Sequence, residues 1–196
     1  YTLEANDIDG DNLIFVATSN NNTNININNE QLVVIPDNNF NGSIEITITV
    51  YDNSSSDNQI FTLEVLPVND APELSFIGSK TTDEDSDLEI NLSANDIDGD
   101  SLTFSADVDA NADISINEDI LIISPYNNYY GDIQITVSVT DGDLSDAETF
   151  ILTVLPINDD PILSEILDSS IDEGEIFEYT LEANDIDGDN LIFVAT

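Results

Sequence analysis

The run Asn-Asp-Ile-Asp-Gly-Asp occurs three times in this 196-residue chain, at 6–11, 95–100 and 184–189, at a constant interval of 89 residues. Other landmarks keep the same interval. Pro36 corresponds to Pro125, Gly42 to Gly131 and Phe61 to Phe150, while Pro67-Val68-Asn69-Asp70-Ala71-Pro72 corresponds to Pro156-Ile157-Asn158-Asp159-Asp160-Pro161. No insertion or deletion breaks the period, and residues 1–18 are identical to residues 179–196. Self-similarity at a fixed spacing means one structural unit used repeatedly.

The two proline-bounded stretches are the natural boundaries. They divide the chain into a partial repeat lacking its first strand (1–68), a linker (69–72), a complete repeat (73–157), a second linker (158–161) and the start of a third repeat (162–196). Within the complete repeat, apolar residues alternate with polar ones. The pattern predicts strands near 73–77, 87–94, 101–105, 112–116, 120–124, 133–140 and 147–155. Their inward faces are read as Leu88, Ile90 and Leu92; Leu102 and Phe104; Ile133, Ile135, Val137 and Val139; and Phe150, Leu152 and Val154. Seven short strands with frequent turns predict an all-β chain of tandem seven-stranded Greek-key sandwiches of immunoglobulin-like type, in an extended array. No stretch carries a convincing helical period.

Composition narrows the chemistry. Forty-two Asp and Glu face one basic residue, Lys80, and the formal charge is −41. There is no His or Cys, hence no imidazole base, thiolate nucleophile, disulfide or zinc site of the nitrogen or sulfur type. The charge repels nucleic acid and anionic membranes, because phosphate is gripped by Lys and Arg. No apolar run approaches the roughly 20 residues that span a bilayer, and an export signal or anchor is expected outside these residues. Although high charge often marks disorder, 40% hydrophobic residues in alternating order predict a folded chain.

Five stretches taken together resemble the cadherin-like, tandem-95-type domains of large bacterial surface adhesins. They are Asn-Asp-Ala-Pro (69–72), Asp-Glu-Asp (83–85), Ala-Asn-Asp-Ile-Asp-Gly-Asp (94–100), Pro…Asn…Gly (125–131) and Val-Thr-Asp-Gly-Asp (139–143). In such repeats acidic residues from one domain, the linker and the next domain converge on calcium. The resemblance therefore implies a calcium set of Glu84, Asn158, Asp159, Asp160, Asp185 and Asp187 at one junction. It implies Asn69, Asp70, Asp96, Asp98 and Asp100 at the preceding one, with Asp141 from the last hairpin. The matching positions in the flanking copies are Asp7, Asp9, Asp52 and Glu173. The mid-domain acidic motif of cadherin is replaced by Pro36-Asp37-Asn38-Asn39-Phe40-Asn41-Gly42 and Pro125-Tyr126-Asn127-Asn128-Tyr129-Tyr130-Gly131, which implies one or two ions per junction rather than three.

Independently of the family, Asp-x-Asp-Gly-Asp loops crowd carboxylates whose repulsion a cation would relieve, and calcium takes oxygen ligands in number whereas magnesium keeps its waters. The rival reading is that these are ordinary acidic turns serving solubility. An EF-hand does not fit, since the sixth and twelfth positions counted from Asp7 are Asn12 and Thr18. Tyr126, Tyr129 and Tyr130 permit a sugar-stacking surface or, more plainly, a closed sandwich edge. Sequons begin at Asn21, Asn41, Asn53 and Asn91.

The expected function is mechanical, a non-enzymatic stalk or filament repeat on an extracellular or cell surface in a bacterium, partnered by neighbouring repeats. Two alternatives stay open: a module that itself binds a glycan or another cell's surface, and an accessory domain of a secreted hydrolase. The identical ends lead to the further expectation of a longer fibre with a two-domain, 178-residue repeat, in which the next copy completes each partial unit.

Overall fold

A computed structural model describes residues 1–20, 22–52 and 54–195, and among these the regular elements are all strands. The sequons beginning at Asn21 and Asn53 lie outside the described residues. The chain divides into two compact units, one of Tyr1–Ala71 with Asp96–Asp100, the other of Pro72–Asn95 with the residues from Ser101 on.

In the first unit, β1 (Ile14–Ser19), β4 (Gly42–Tyr51) and β5 (Ser56–Val65) form a three-stranded sheet in the order β1-β4-β5, while β2 (Thr23–Asn28) pairs with β3 (Gln31–Pro36). Ile44 and Ile46 on β4 are sealed from water, with Leu32 on β3 nearly so. An isolated bridge, Thr2↔Gln31, lies beside β3.

In the second unit the complete repeat contributes β6 (Glu73–Leu74), β7 (Lys80–Asp83), β8 (Leu88–Asn91), β9 (Ala94–Asn95), β10 (Thr103–Val108), β11 (Ala112–Asn117), β12 (Ile120–Pro125), β13 (Gly131–Thr140) and β14 (Ser145–Leu155). One sheet runs β10-β13-β14-β7 and another β11-β12-β8, with β6 paired to β9. Period-two alternation turns Ile133, Ile135, Val137 and Val139 to one face of β13, where they meet Phe150, Leu152 and Val154 of β14 and Leu121 and Ile123 of β12. Each such side chain contributes about 1.5–3 kcal/mol by leaving water, so this cluster holds the sandwich together.

The expected first strand, 73–77, is instead split. After β6 the chain leaves its partner, the amides of Ile77 and Gly78 donate to the Glu148 carboxylate at 2.7 and 2.9 Å, and Lys80 Nζ caps the Ile77 carbonyl at 2.6 Å. Residues 80–83 then join the opposite sheet as β7, parallel to β14 in the register Leu152↔Lys80. Thr81 and Thr82 carry no apolar alternation, so only the distant edge of β14 selects this strand. The predicted 87–94 strand is likewise interrupted, with the Leu92 amide donating to Asp119 O at 2.7 Å between β8 and β9.

Further along the second unit, β15 (Ile162–Leu163) pairs with β16 (Ala183–Asn184) in the register Ile162↔Asn184. That is the β6–β9 register, Glu73↔Asn95, displaced by one repeat.

Candidate metal centre

The three Asp-x-Asp-Gly-Asp loops fold alike because the first carboxylate of each gathers the amides that follow it. Asp96 Oδ1 accepts from the amides of Asp98 (2.9 Å), Gly99 (2.9 Å) and Asp100 (3.2 Å). Asp7 Oδ1 accepts from Asp9 and Asp11 at 2.8 and 3.1 Å, and Asp185 Oδ1 accepts from Asp189 at 3.1 Å. Gly99 sits at φ 81°, a left-handed conformation that closes the loop. An added Cβ there would meet nothing within 4 Å, so conformation rather than space calls for glycine.

In the first unit, curling the loop leaves oxygens of Asp96, Asp98 and Asp100 within 4.8 Å of one another. Asp96 Oδ2 is shielded from solvent and has no hydrogen-bond partner. The linker is tied to the same loop, with the Asp70 amide donating to Asp98 Oδ2 at 2.8 Å.

The second unit builds a deeper group. Because β7 runs parallel to β14, the residue after it is carried across the strand's end: the Glu84 amide donates to Leu155 O at 2.9 Å, and Glu84 Oε1 accepts the Ile157 amide at 2.6 Å. Glu84 is 4% exposed, a carboxylate almost out of water. The Asp159 amide donates to Asp187 Oδ2 at 2.6 Å, and one oxygen from each of Glu84, Asp159 and Asp187 lies within 4.8 Å of the others. Asp159 Oδ2 is shielded and has no partner. Lost hydration, and then the neighbouring charges of Asp187, Asp85, Glu84 and Asp185, push the Asp159 carboxyl above its ordinary 3.8.

Oxygens on a ligand sphere of about 2.4 Å radius can be at most about 4.8 Å apart, so both groups have the span of a hard divalent cation's ligands. A shielded carboxylate oxygen without a donor, among others of its own charge, is the kind of acceptor such an ion satisfies.

The remaining candidates are placed elsewhere. In the β4–β5 hairpin, Asp52 is occupied by Ser54 and Ser55: Oδ1 accepts the Ser55 amide at 2.7 Å and Oδ2 the Ser55 hydroxyl at 2.6 Å, which holds the carboxyl well below the usual aspartate range. Asp141 Oδ1 closes the β13–β14 hairpin through the amides of Asp143 and Leu144, both at 2.7 Å. Asp7 and Asp9 share an intact loop, and Asn69 lies in the linker. Asn158 Nδ2 donates to Asp159 O at 2.9 Å, and Asp160 and Glu173 are exposed.

One neighbour escaped the sequence reading. Asp85, at φ 57°, accepts the Asn128 amide at 2.9 Å and adds its charge beside Asp159; its place in the Asp-Glu-Asp run was the available signal. Of the three tyrosines, Tyr129 packs against the core and donates to Asp132 O at 3.0 Å, while Tyr126 and Tyr130 are exposed.

The EC1–2 segment of human protocadherin-24 is similar in fold, with TM-score 0.50 and 17% identity over 79% of this chain and 87% of that one. Lesser likenesses include Drosophila N-cadherin EC1–3 (TM-score 0.39, 13% identity, 80% of this chain and 60% of that one) and the endo-fucoidan hydrolase MfFcnA4 of glycoside hydrolase family 107 (TM-score 0.37, 19% identity, 76% of this chain). The chain spans about a quarter of that hydrolase's length, 24%. No curated protein matches the sequence. The family model described as bacterial Ig domain matches residues 1–64 and again 69–153, and the chain belongs to the bacterial Ig domain family.

Proposed function

We propose that this chain is a structural segment of an extracellular, bacterial surface filament or stalk, whose linkers are made rigid by calcium. The observation that carries the reading is Asp159 Oδ2, shielded and without a hydrogen-bond partner between Glu84 and Asp187. Calcium fits this donor set because it accepts several carboxylate and carbonyl oxygens in loose geometry, and the residues that would hold it are Glu84, Asp159 and Asp187. One repeat earlier Asp70 and Asp98 stand where Asp159 and Asp187 do, and the carboxylates gathered there are Asp96, Asp98 and Asp100. No enzymatic activity is assigned to the segment. Bacterial Ig domains are generally non-enzymatic, and the exact repetition of residues 1–18 suits a part copied for length rather than for one specialised site.

Calorimetric titration of chelator-treated protein with calcium, and with magnesium as control, tests the reading. Saturable calcium binding with a rise in melting temperature is the expected result, because an ion bound only by the folded state stabilises it by mass action. Identical melting curves in chelator and in millimolar calcium would rule it out.

A further inference from the structure

The turn that joins β12 to β13, residues 126–130, has a twin in the turn that joins β3 to β4, residues 37–41. Both are folded by the same bonds. The Tyr126 amide donates to Asn111 O at 2.9 Å and the Asp37 amide to Asn22 O at 2.9 Å. The turn is closed by the Tyr129 amide on Tyr126 O at 3.0 Å in one and by the Phe40 amide on Asp37 O at 3.2 Å in the other. Asn128 and Asn39 take the same left-handed conformation, φ 56° and 59°. An aromatic ring lies over the glycine that follows: a Cβ on Gly131 would meet Tyr129 Oη at 3.1 Å, and one on Gly42 would meet Phe40 Cζ at 3.7 Å.

Two positions of the turn differ in kind. Where the first repeat has Asp37 and Asn41, the complete repeat has Tyr126 and Tyr130. The identical backbone shows that neither tyrosine is needed to make the turn. Nor does the core use them: Tyr129 packs against it, whereas Tyr126 and Tyr130 are 50% and 60% exposed. Among the described residues neither ring stacks on another aromatic, and neither hydroxyl has a hydrogen-bond partner in the protein, while that of Tyr129 donates to Asp132 O. Asp37 and Asn41 are likewise exposed, and a whole repeat follows them.

Two large rings therefore stand in water at a place where the same fold is made with small polar side chains. A tyrosine ring offers an apolar face at little entropic cost and a hydroxyl at its rim. Between the two in sequence lie Asn127 and Asn128, both exposed, whose side-chain amides can donate and accept. Apolar faces beside amides suit a sugar, which has C–H faces and a ring of hydroxyls.

Charge selects among sugars. The chain carries −41, and its one cationic side chain, Lys80, is held on the Ile77 carbonyl, so a sulfated or carboxylated glycan is repelled. A cationic one would be drawn to acidic residues along the whole chain, and the exchange of Asp37 for Tyr126 removes a carboxylate from this turn.

We propose that the turn between β12 and β13 is a binding platform for an uncharged polysaccharide. The rings of Tyr126 and Tyr130 meet the apolar faces of sugar units, and Asn127 bonds their hydroxyls. The platform belongs to the complete repeat and is lacking in the first. It stands apart from the calcium reading, since none of its residues is a proposed ligand of the ion.

Affinity electrophoresis of the whole chain in native gels containing galactomannan, xyloglucan, dextran or laminarin tests the proposal. Chelator is present throughout, so failure of calcium binding leaves the result standing. At least one of these neutral polysaccharides should retard the chain, equally at low and high salt. The double variant Tyr126→Asp/Tyr130→Asn, which gives the turn the side chains of the first repeat, should bind about tenfold or more weakly with unchanged melting. Tyr126→Phe/Tyr130→Phe should keep most of the affinity, because the ring faces remain. Migration unchanged in all four gels overturns the proposal, as does equal retardation of the Asp/Asn variant. Retardation confined to alginate or chitosan would show binding by charge and overturn it too. So would self-association that the Asp/Asn variant abolishes, if it came without polysaccharide binding.

Discussion

The amide of Asp159 donates to Asp187 Oδ2 at 2.6 Å, and one repeat earlier the amide of Asp70 donates to Asp98 Oδ2 at 2.8 Å. In both places a linker backbone is fastened to an acidic loop by a carboxylate. At Asp159 this bond brings the residue's own carboxylate against Glu84 and Asp187, so the fastening that orders the linker also assembles the charge that a cation would neutralise.

Asp187→Asn should weaken calcium binding by about tenfold or more, since ligand charge sets affinity over decades. The complete repeat should melt unchanged in chelator. Calorimetric titration of the variant, paired with a melting curve, checks both halves of the expectation.

The raised carboxyl of Asp159 gives a pH dependence whose sign is definite. Without metal the folded protein holds this proton more tightly than the unfolded chain does, so the stabilising contribution is complete below the unfolded value of 3.8 and is lost as pH rises through the higher folded value. Carboxyl-resolved NMR titration in chelator should place the Asp159 midpoint above 3.8. Asp187→Asn should move it down, and calcium should move it down further. A midpoint at or below the ordinary value in chelator would contradict the geometry.

Phe150→Ala should destabilise the complete repeat by about 3–5 kcal/mol, through lost burial and the cavity left behind. Phe61→Ala, at a side chain 41% exposed, should cost its own unit roughly half as much or less. Differential scanning calorimetry of the two variants distinguishes the units. Equal losses would mean that Phe61 is as well covered in solution as Phe150.

Gly99→Ala should cost about 1–2 kcal/mol locally, because φ 81° is left-handed and the penalty is conformational rather than steric. The effect should appear as faster amide exchange at Asp98 and Asp100, whose amides bond to Asp96, with the β13 core unchanged.

Alternation on residues 133–139 and 150–154 was enough to identify the inward faces of β13 and β14, because a strand's period of two survives any tertiary context. The 89-residue interval likewise made the Asp-x-Asp-Gly-Asp loops and their equivalence legible, since the hydrogen bonds that fold them are local. What the sequence could not express is pairing at a distance. β7 exists because the free edge of β14 accepts residues 80–83, and its parallel course alone carries Glu84 to the Ile157 amide, 73 residues away. Asp52 and Asp141 stood beside Asp159 as equal candidates by composition. Tertiary structure separated them, because hairpin donors satisfy the first two carboxylates while burial and neighbouring acids leave an oxygen of Asp159 without a partner.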